Sequence, residues 1–200
     1  MKRFIYLISP NKINDDFYSA LEKVLACKKV NYFQLRLKNY PKNKILKIGK
    51  VIKTITNRHK VKLIVNDNPN IAKEIGAAGC HIGQSDTSYR QTNKILKKKI
   101  IGLTCHGSKR LVEQAIKYKV NYIAIGSFFK SKLKPNAKKA KMKLIKETKK
   151  KTKIPIVVIG GITNKNYKKL ISLGANYIAI SSYIWNNPTL KPEIAIRKFN

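Results

Sequence analysis

Eight short runs of apolar and β-branched residues recur along the chain, and segments with apolar residues at helical spacing, such as Phe17, Leu21 and Leu25, separate them. A strand followed by a helix, repeated, predicts a parallel sheet. Eight such units suit a closed (β/α)8 barrel, in which both faces of every strand are covered. The runs occupy residues 4–8, 32–37, 62–65, 79–82, 100–103, 122–125, 156–159 and 177–180.

The chain length limits this architecture to one α/β domain spanning residues 1–200. A 200-residue chain with 43% hydrophobic content can form one substantial core. Because ~250 residues are typical of a TIM barrel, insertions must be few. A doubly wound open sheet is the alternative.

The N-terminal segment and the cysteines bear on location. The opening MKRFIYLISP has too short an apolar run for a signal peptide, and no stretch approaches the ~18 apolar residues of a membrane span. Cys27, Cys80 and Cys105 are odd in number and form no Cys-x-x-Cys pair. We therefore expect a cytoplasmic protein without a membrane partner.

The charge is extreme: 44 Lys and Arg against 9 Asp and Glu give a net charge of +35. Such a field attracts nucleic acid and other polyanions. The lysines are nevertheless spread along the whole chain, with runs at residues 97–99 and 149–151 that resemble solvated helix ends. We therefore expect no dedicated nucleic-acid partner.

Polar residues follow or end several of the predicted strands, where barrel active sites lie. Gln34, Arg36 and Lys38 alternate with apolar residues and so share one face of the second strand. A parallel barrel has no solvent-facing strand surface, and uncompensated buried cations are costly. This polar face therefore predicts a wet cavity that holds an anion.

Two of the four aspartates, Asp67 and Asp86, come just after the adjacent third and fourth strands. One explanation is helix capping, since Asx residues before a proline are common helix starts. The other is a cation site, because two neighbouring carboxylates repel each other unless a cation lies between them. Mg2+ together with a diphosphate suits such a pair.

The later loops predict phosphate contacts. Residues 126–134, after the sixth strand, are rich in hydroxyls and lysines. The seventh strand ends in Gly160-Gly161 and the eighth in Ser181-Ser182, which matches the phosphate cradle of many barrels. A simple turn and cap is the alternative.

The histidines and cysteines support no acid–base or thiolate pair. Cys105 and His106 are neighbours in sequence and should point to opposite sides of their strand. His81 is a candidate pocket residue near the anion.

Taken in order, these motifs resemble thiamine phosphate synthases over nearly the whole chain. The resemblance rests on Gln34-x-Arg36-x-Lys38, Asn66-Asp67, Gly83-Gln84-x-Asp86, residues 126–134 and residues 159–162. It implies a transferase reaction in which hydroxymethylpyrimidine diphosphate loses pyrophosphate and a thiazole phosphate nitrogen captures the pyrimidine methylene carbon.

The resemblance also implies residue roles. It assigns metal binding to Asp67 and Asp86, with Mg2+ as cofactor, and catalysis to Arg36, Lys38, Thr104 and Lys134. The pyrimidine diphosphate would be held by Gln34, Arg36, Lys38, Asn66, Thr104 and Lys134, and the thiazole phosphate by Ser131, Lys132, Leu133, Gly161, Ser181 and Ser182.

Two positions depart from the family pattern. The sixth loop reads Ser131-Lys132-Leu133-Lys134 where the family has Thr-x-Thr-Lys, so Leu133 lacks a hydroxyl, while Thr104 replaces a serine. A thiazole tautomerase of the same barrel type, and a basic RNA-binding protein without catalysis, are the alternatives. The sequence leaves homo-oligomerisation open.

Overall fold

Residues 3–130 and 138–200 are described by the computed structural model, in which parallel strands close into a barrel in sequence order. The predicted α/β barrel is confirmed. Ser131, Lys132, Leu133 and Lys134 lie outside the described residues. The strands are β1 (Ile5–Ile8), β2 (Val30–Leu35), β3 (Lys62–Asn66), β4 (Gly79–Ile82), β5 (Ile100–His106), β6 (Tyr122–Gly126), β7 (Ile156–Ile159) and β8 (Tyr177–Ile180).

A helix follows each strand, and a further short helix ends the described chain. Their bounds are α1 (Asp16–Ala26), α2 (Lys42–Arg58), α3 (Pro69–Ile75), α4 (Tyr89–Leu96), α5 (Lys109–Lys117), α6 (Lys143–Lys151), α7 (Tyr167–Ser172), α8 (Ser182–Trp185) and α9 (Pro192–Arg197). No described helix is long and apolar enough to cross a membrane.

Local sequence explains where these helices begin and which face they bury. In α5, the Ser108 hydroxyl accepts a hydrogen bond from the Leu111 backbone N–H at 3.3 Å and so caps the first turn. Leu111, Val112 and Ala115 then form a buried stripe at helical spacing against the sheet.

The buried apolar residues form two layers. The larger lies between the strands and the surrounding helices, and the smaller fills the barrel interior with three tyrosines, Tyr6, Tyr32 and Tyr122. Gly102 makes room for one of these rings, because a Cβ there would lie 1.9 Å from Tyr122 Cζ. The interior is thus a packed aromatic core whose hydroxyl groups need hydrogen-bond partners.

The second strand corrects one prediction. It was expected over residues 32–37 but runs Val30–Leu35, so Arg36 and Lys38 lie in the loop that follows. Pairing with β1 ends here because Ser9 intervenes: its hydroxyl accepts the Arg36 N–H at 2.9 Å and donates to the Arg36 carbonyl at 3.4 Å. A side chain thus replaces the strand ladder at the point where the loop begins.

Candidate active site

The two aspartates predicted at adjacent strand ends are neighbours in the structure. Asp67 follows β3 and Asp86 lies in the loop after β4, and their carboxyl groups lie close enough to interact. Burial, interaction with the Asp86 carboxyl group and the charge of Asp86 raise the pKa of Asp67 to about 6, while nearby Lys38 and Arg36 lower it. The pair therefore holds a proton more readily than separate carboxyl groups do.

Helix capping does not occupy these two side chains. The cap of α3 is Asn68, which accepts the Ile71 N–H at 3.0 Å, and the cap of α4 is Ser88. Asp67 has a φ of 65°, a left-handed conformation that Asp tolerates better than β-branched residues do. Asp86 Oδ2 accepts the Gly83 N–H at 2.7 Å, which fixes that carboxylate across its own loop.

The two predicted cations of the second loop lie on the Asp67 side of this pair. Lys38 Nζ is 3.9 Å from Asp67 Oδ2, with its side chain 57% exposed. Arg36 is half-buried and lies close enough to lower the Asp67 pKa. Two cationic side chains thus lie beside the carboxyl pair, where charge-assisted hydrogen bonds to an anion are strongest.

Gln34, Thr104 and His81 meet in a polar network inside the barrel mouth. Gln34 is buried, and its Nε2 donates to the Tyr6 hydroxyl at 3.0 Å. His81 is half-buried and bonds the Thr104 hydroxyl at 2.8 Å through Nε2 and the Tyr122 hydroxyl at 2.9 Å through Nδ1. Burial lowers the pKa of His81 to about 4, so the ring is neutral at pH 7.

Gln84 and Asn66 border the same network. The Gln84 side-chain amide donates to the Thr104 backbone carbonyl, which ties the loop after β4 to β5. Asn66 is half-buried at the end of β3 and pairs with His81 in the sheet register. The motif residues from three successive strands therefore lie side by side.

The loops after β7 and β8 form the opposite side of the barrel mouth. Gly160 and Gly161 have positive φ angles of 107° and 60°, and a Cβ on Gly161 would lie 2.3 Å from the Lys130 carbonyl oxygen. The Ser181 hydroxyl donates to the Ser9 carbonyl at 3.1 Å, and Ser182 begins α8. The glycine turn therefore packs directly against the start of the sixth loop.

The cysteine next to His106 is buried and inert. Cys105 donates its thiol to the Leu111 carbonyl at 3.3 Å, and burial raises the pKa of the thiol to about 12. His106 is exposed. The two side chains point apart, as the strand alternation predicted.

Sequence reasoning missed Tyr6, Tyr122 and Ser9 as parts of the site. Tyr6 and Tyr122 occupy inward positions of β1 and β6, and their hydroxyl groups lie 2.8 Å apart. A polar group at an inward position of a barrel strand was the available signal.

The carboxylate pair suits a hard cation that also binds phosphate oxygens. The described residues contain no cluster of three or more His, Cys, Asp or Glu side chains that could hold a metal by themselves. Two carboxylates with remaining positions filled by phosphate and water are the coordination that Mg2+ prefers. Asp67 and Asp86 therefore fit Mg2+, and their role as its ligands stays a prediction.

Active sites of (β/α)8 barrels lie at this end of the strands, and the side chains gathered here are of the types that bind anions and divalent cations. The class is thus a barrel enzyme for phosphorylated compounds. Residues 5–184 match the family model described as thiamine monophosphate synthase. The chain belongs to that family, as the motifs predicted.

Individual relatives agree with this assignment. The chain is 52% identical over 198 residues to a thiamine-phosphate synthase of Pelagibacter ubique (strain HTCC1062), covering 98% of this chain and 96% of the relative. It is 33% identical to that of Rhodospirillum centenum (strain ATCC 51521 / SW), with 98% and 95% coverage. Its fold matches thiamine phosphate pyrophosphorylase from Pyrococcus furiosus with a TM-score of 0.88 at 23% identity, covering 98% of this chain and 93% of that one.

Proposed function

We propose that this chain couples 4-amino-2-methyl-5-hydroxymethylpyrimidine diphosphate with 4-methyl-5-(2-hydroxyethyl)thiazole phosphate. The products are thiamine monophosphate and pyrophosphate. The observation that carries the proposal is the Asp67–Asp86 pair beside Lys38 and Arg36, within a chain 52% identical to a thiamine-phosphate synthase.

In this reaction the bond between the pyrimidine methylene carbon and the diphosphate oxygen breaks, and the diphosphate leaves with the electron pair. The thiazole nitrogen then donates its lone pair to that carbon. Negative charge therefore grows on the leaving group, and fixed cations that stabilise this charge lower the barrier. Neither step requires a protein base, which agrees with the inert Cys105 and the neutral His81.

The residues divide between the two substrates. Arg36 and Lys38 neutralise the departing diphosphate, and Gln34, Asn66 and Thr104 hold the pyrimidine diphosphate. Asp67 and Asp86 would hold Mg2+, which would supply further charge neutralisation at the leaving group. Gly161, Ser181 and Ser182 hold the thiazole phosphate. Ser131, Lys132, Leu133 and Lys134, which lie outside the described residues, complete the two sets.

The experiment is pyrophosphate release from the two substrates, with Mg2+ or with chelator. Wild type should turn over only with Mg2+, and Asp86→Asn should lose most of this activity. Asp16→Asn is the matched control, since Asp16 lies in the first turn of α1, outside the site. Full activity in chelator would refute the metal role, and absence of pyrophosphate release would favour the tautomerase alternative.

The proposed cellular location and partners follow from the same chemistry. Phosphorylated substrates and three free cysteines agree with a cytoplasmic enzyme whose partners are small molecules. A dedicated nucleic-acid partner is not required, because the +35 charge is spread over the chain. The single domain of residues 1–200 stays a prediction, and size measurement in solution decides between monomer and homo-oligomer.

A further inference from the structure

A continuous chain of four hydrogen bonds crosses the barrel interior from β2 to β5. It runs from Gln34 Nε2 to the Tyr6 hydroxyl (3.0 Å), the Tyr122 hydroxyl (2.8 Å), the two nitrogens of His81 (2.9 and 2.8 Å) and the Thr104 hydroxyl. Both tyrosines are almost fully buried, at 2% and 1% exposure. The two ends of this hydrogen-bond chain are Gln34 and Thr104, which the proposed function assigns to binding of the pyrimidine diphosphate.

The hydrogen atoms along this chain can point in one direction only. Gln34 Nε2 must donate to Tyr6, so the single hydrogen of Tyr6 goes to Tyr122, and that of Tyr122 goes to His81 Nδ1. The neutral imidazole then carries its hydrogen on Nε2 and donates to Thr104. Reversal at any single bond would leave a buried hydroxyl hydrogen without an acceptor.

Both ends of the chain keep one atom for a ligand. Thr104 accepts from His81 and so retains its own hydroxyl hydrogen as a donor. Gln34 Oε1 has no hydrogen-bond partner among the described residues. Every fully buried side-chain oxygen or nitrogen of these residues does have a partner, so Gln34 Oε1 must be in contact with solvent. The protein therefore presents a donor at Thr104 and an acceptor at Gln34.

We propose that Tyr6, Tyr122 and His81 are positioning residues that fix these two roles and thereby select an aminopyrimidine diphosphate over its deaminated, oxo counterpart. The inference rests on the proposed function. Phosphate oxygens only accept hydrogen bonds, which matches the Thr104 donor, and a ring amino group donates, which matches Gln34 Oε1. An oxo group would meet an acceptor, and turning the Gln34 amide to suit it would reverse the chain and remove the Thr104 donor.

The direction of the chain can be measured without turnover by 15N NMR of labelled histidines. Wild-type His81 should be the Nε2–H tautomer. Tyr6→Phe keeps both His81 bonds and leaves His81 Nδ1 as the acceptor for the Tyr122 hydrogen, so the Nε2–H tautomer should persist. Gln34→Glu places an acceptor against Tyr6 and should shift His81 to the Nδ1–H tautomer.

Tyr32→Phe is the matched control for Tyr6→Phe. The Tyr32 ring packs 5.5 Å from Tyr6 and 5.8 Å from Tyr122 in the same aromatic core, yet its hydroxyl lies near Tyr177 and takes no part in the four hydrogen bonds. Its tautomer ratio at His81 should equal that of wild type. An unchanged His81 tautomer in Gln34→Glu would overturn the inference.

Selectivity is the second measurement. Wild type should prefer the amino substrate over the oxo analogue in kcat/KM, and Tyr6→Phe should lower this preference about tenfold, the effect of ~1.4 kcal/mol. Tyr32→Phe should retain it. An unchanged preference in Tyr6→Phe overturns the selectivity role. Lack of pyrophosphate release by wild type refutes the proposed function instead. In that case the His81 tautomer and the binding of the two pyrimidine diphosphates still test the direction of the hydrogen-bond chain.

Discussion

Replacing Asp67 by Asn should stabilise the metal-free protein while removing its response to Mg2+. The pKa of Asp67 is raised from 3.8 to about 6, so ionising this residue in the folded state is unfavourable. At about 1.4 kcal/mol for each pKa unit, the upper limit of this penalty is ~3 kcal/mol. Because the side chain is 31% exposed, solvent screening reduces it to roughly 1.5 kcal/mol.

The assay is urea unfolding in chelator at pH 7.5 and at lower pH. A penalty of ~1.5 kcal/mol and an m-value of ~2.5 kcal/mol/M place the midpoint of Asp67→Asn ~0.6 M above wild type. Since the folded pKa is raised, the penalty is fully present above about pH 6 and disappears below pH 4, where folded and unfolded states are both protonated. The difference between the proteins should shrink accordingly.

Mg2+ with pyrophosphate should reverse the order of stability. Ligands at ~100 times their Kd add ~2.7 kcal/mol to a protein that binds them, which exceeds the gain of the variant. Asp16→Asn should match wild type in every condition. A lower midpoint for Asp67→Asn in chelator at pH 7.5, or a difference that persists at pH 3.5, would refute the reasoning.

Three further predictions concern other parts of the site. Leu133→Thr should lower the KM for the thiazole phosphate about tenfold, because a hydroxyl contact is worth ~1 to 2 kcal/mol; an unchanged or higher KM contradicts this. Because burial lowers the pKa of His81 to about 4, the folded wild type should lose stability as the pH falls from about 6.5 to 4. The unfolding free energy of wild type minus that of His81→Gln should therefore decrease over that range; a constant difference contradicts this. Gly102→Ala should lower the free energy of unfolding by ~1 to 3 kcal/mol, since its Cβ would overlap the Tyr122 ring, and thermal unfolding measures this; an unaltered midpoint contradicts it.

The barrel was predictable because each strand carries its own local signal. Three predicted runs coincide with β4, β7 and β8, and the closeness of Asp67 and Asp86 follows from adjacent strands alone. The end of β2 was not predictable, because it depends on Ser9, a residue 27 positions away that bonds Arg36. Apolar alternation continues through Leu37 although the strand ladder has already stopped.

The interior hydrogen-bond chain lies beyond sequence reasoning for the same physical reason. The Tyr6 and Tyr122 hydroxyl groups meet although 116 residues separate them. Their contact depends on closure of the barrel, which places β1 and β6 across the interior from each other, and on the space left by Gly102. A local sequence pattern encodes neither. Likewise, the sequence does not show whether Asn68 or Asp67 caps α3. The choice depends on the backbone, since Asp67 has a left-handed φ and Asn68 is the cap.

The assignment of helix caps to Asn68 and Ser88 also bears on how this site can change over evolution. Since the residues that begin α3 and α4 are distinct from the carboxylates, substitution of either aspartate leaves both helix starts intact. Variants at Asp67 or Asp86 can therefore change ligand preference while α3 and α4 keep their first turns.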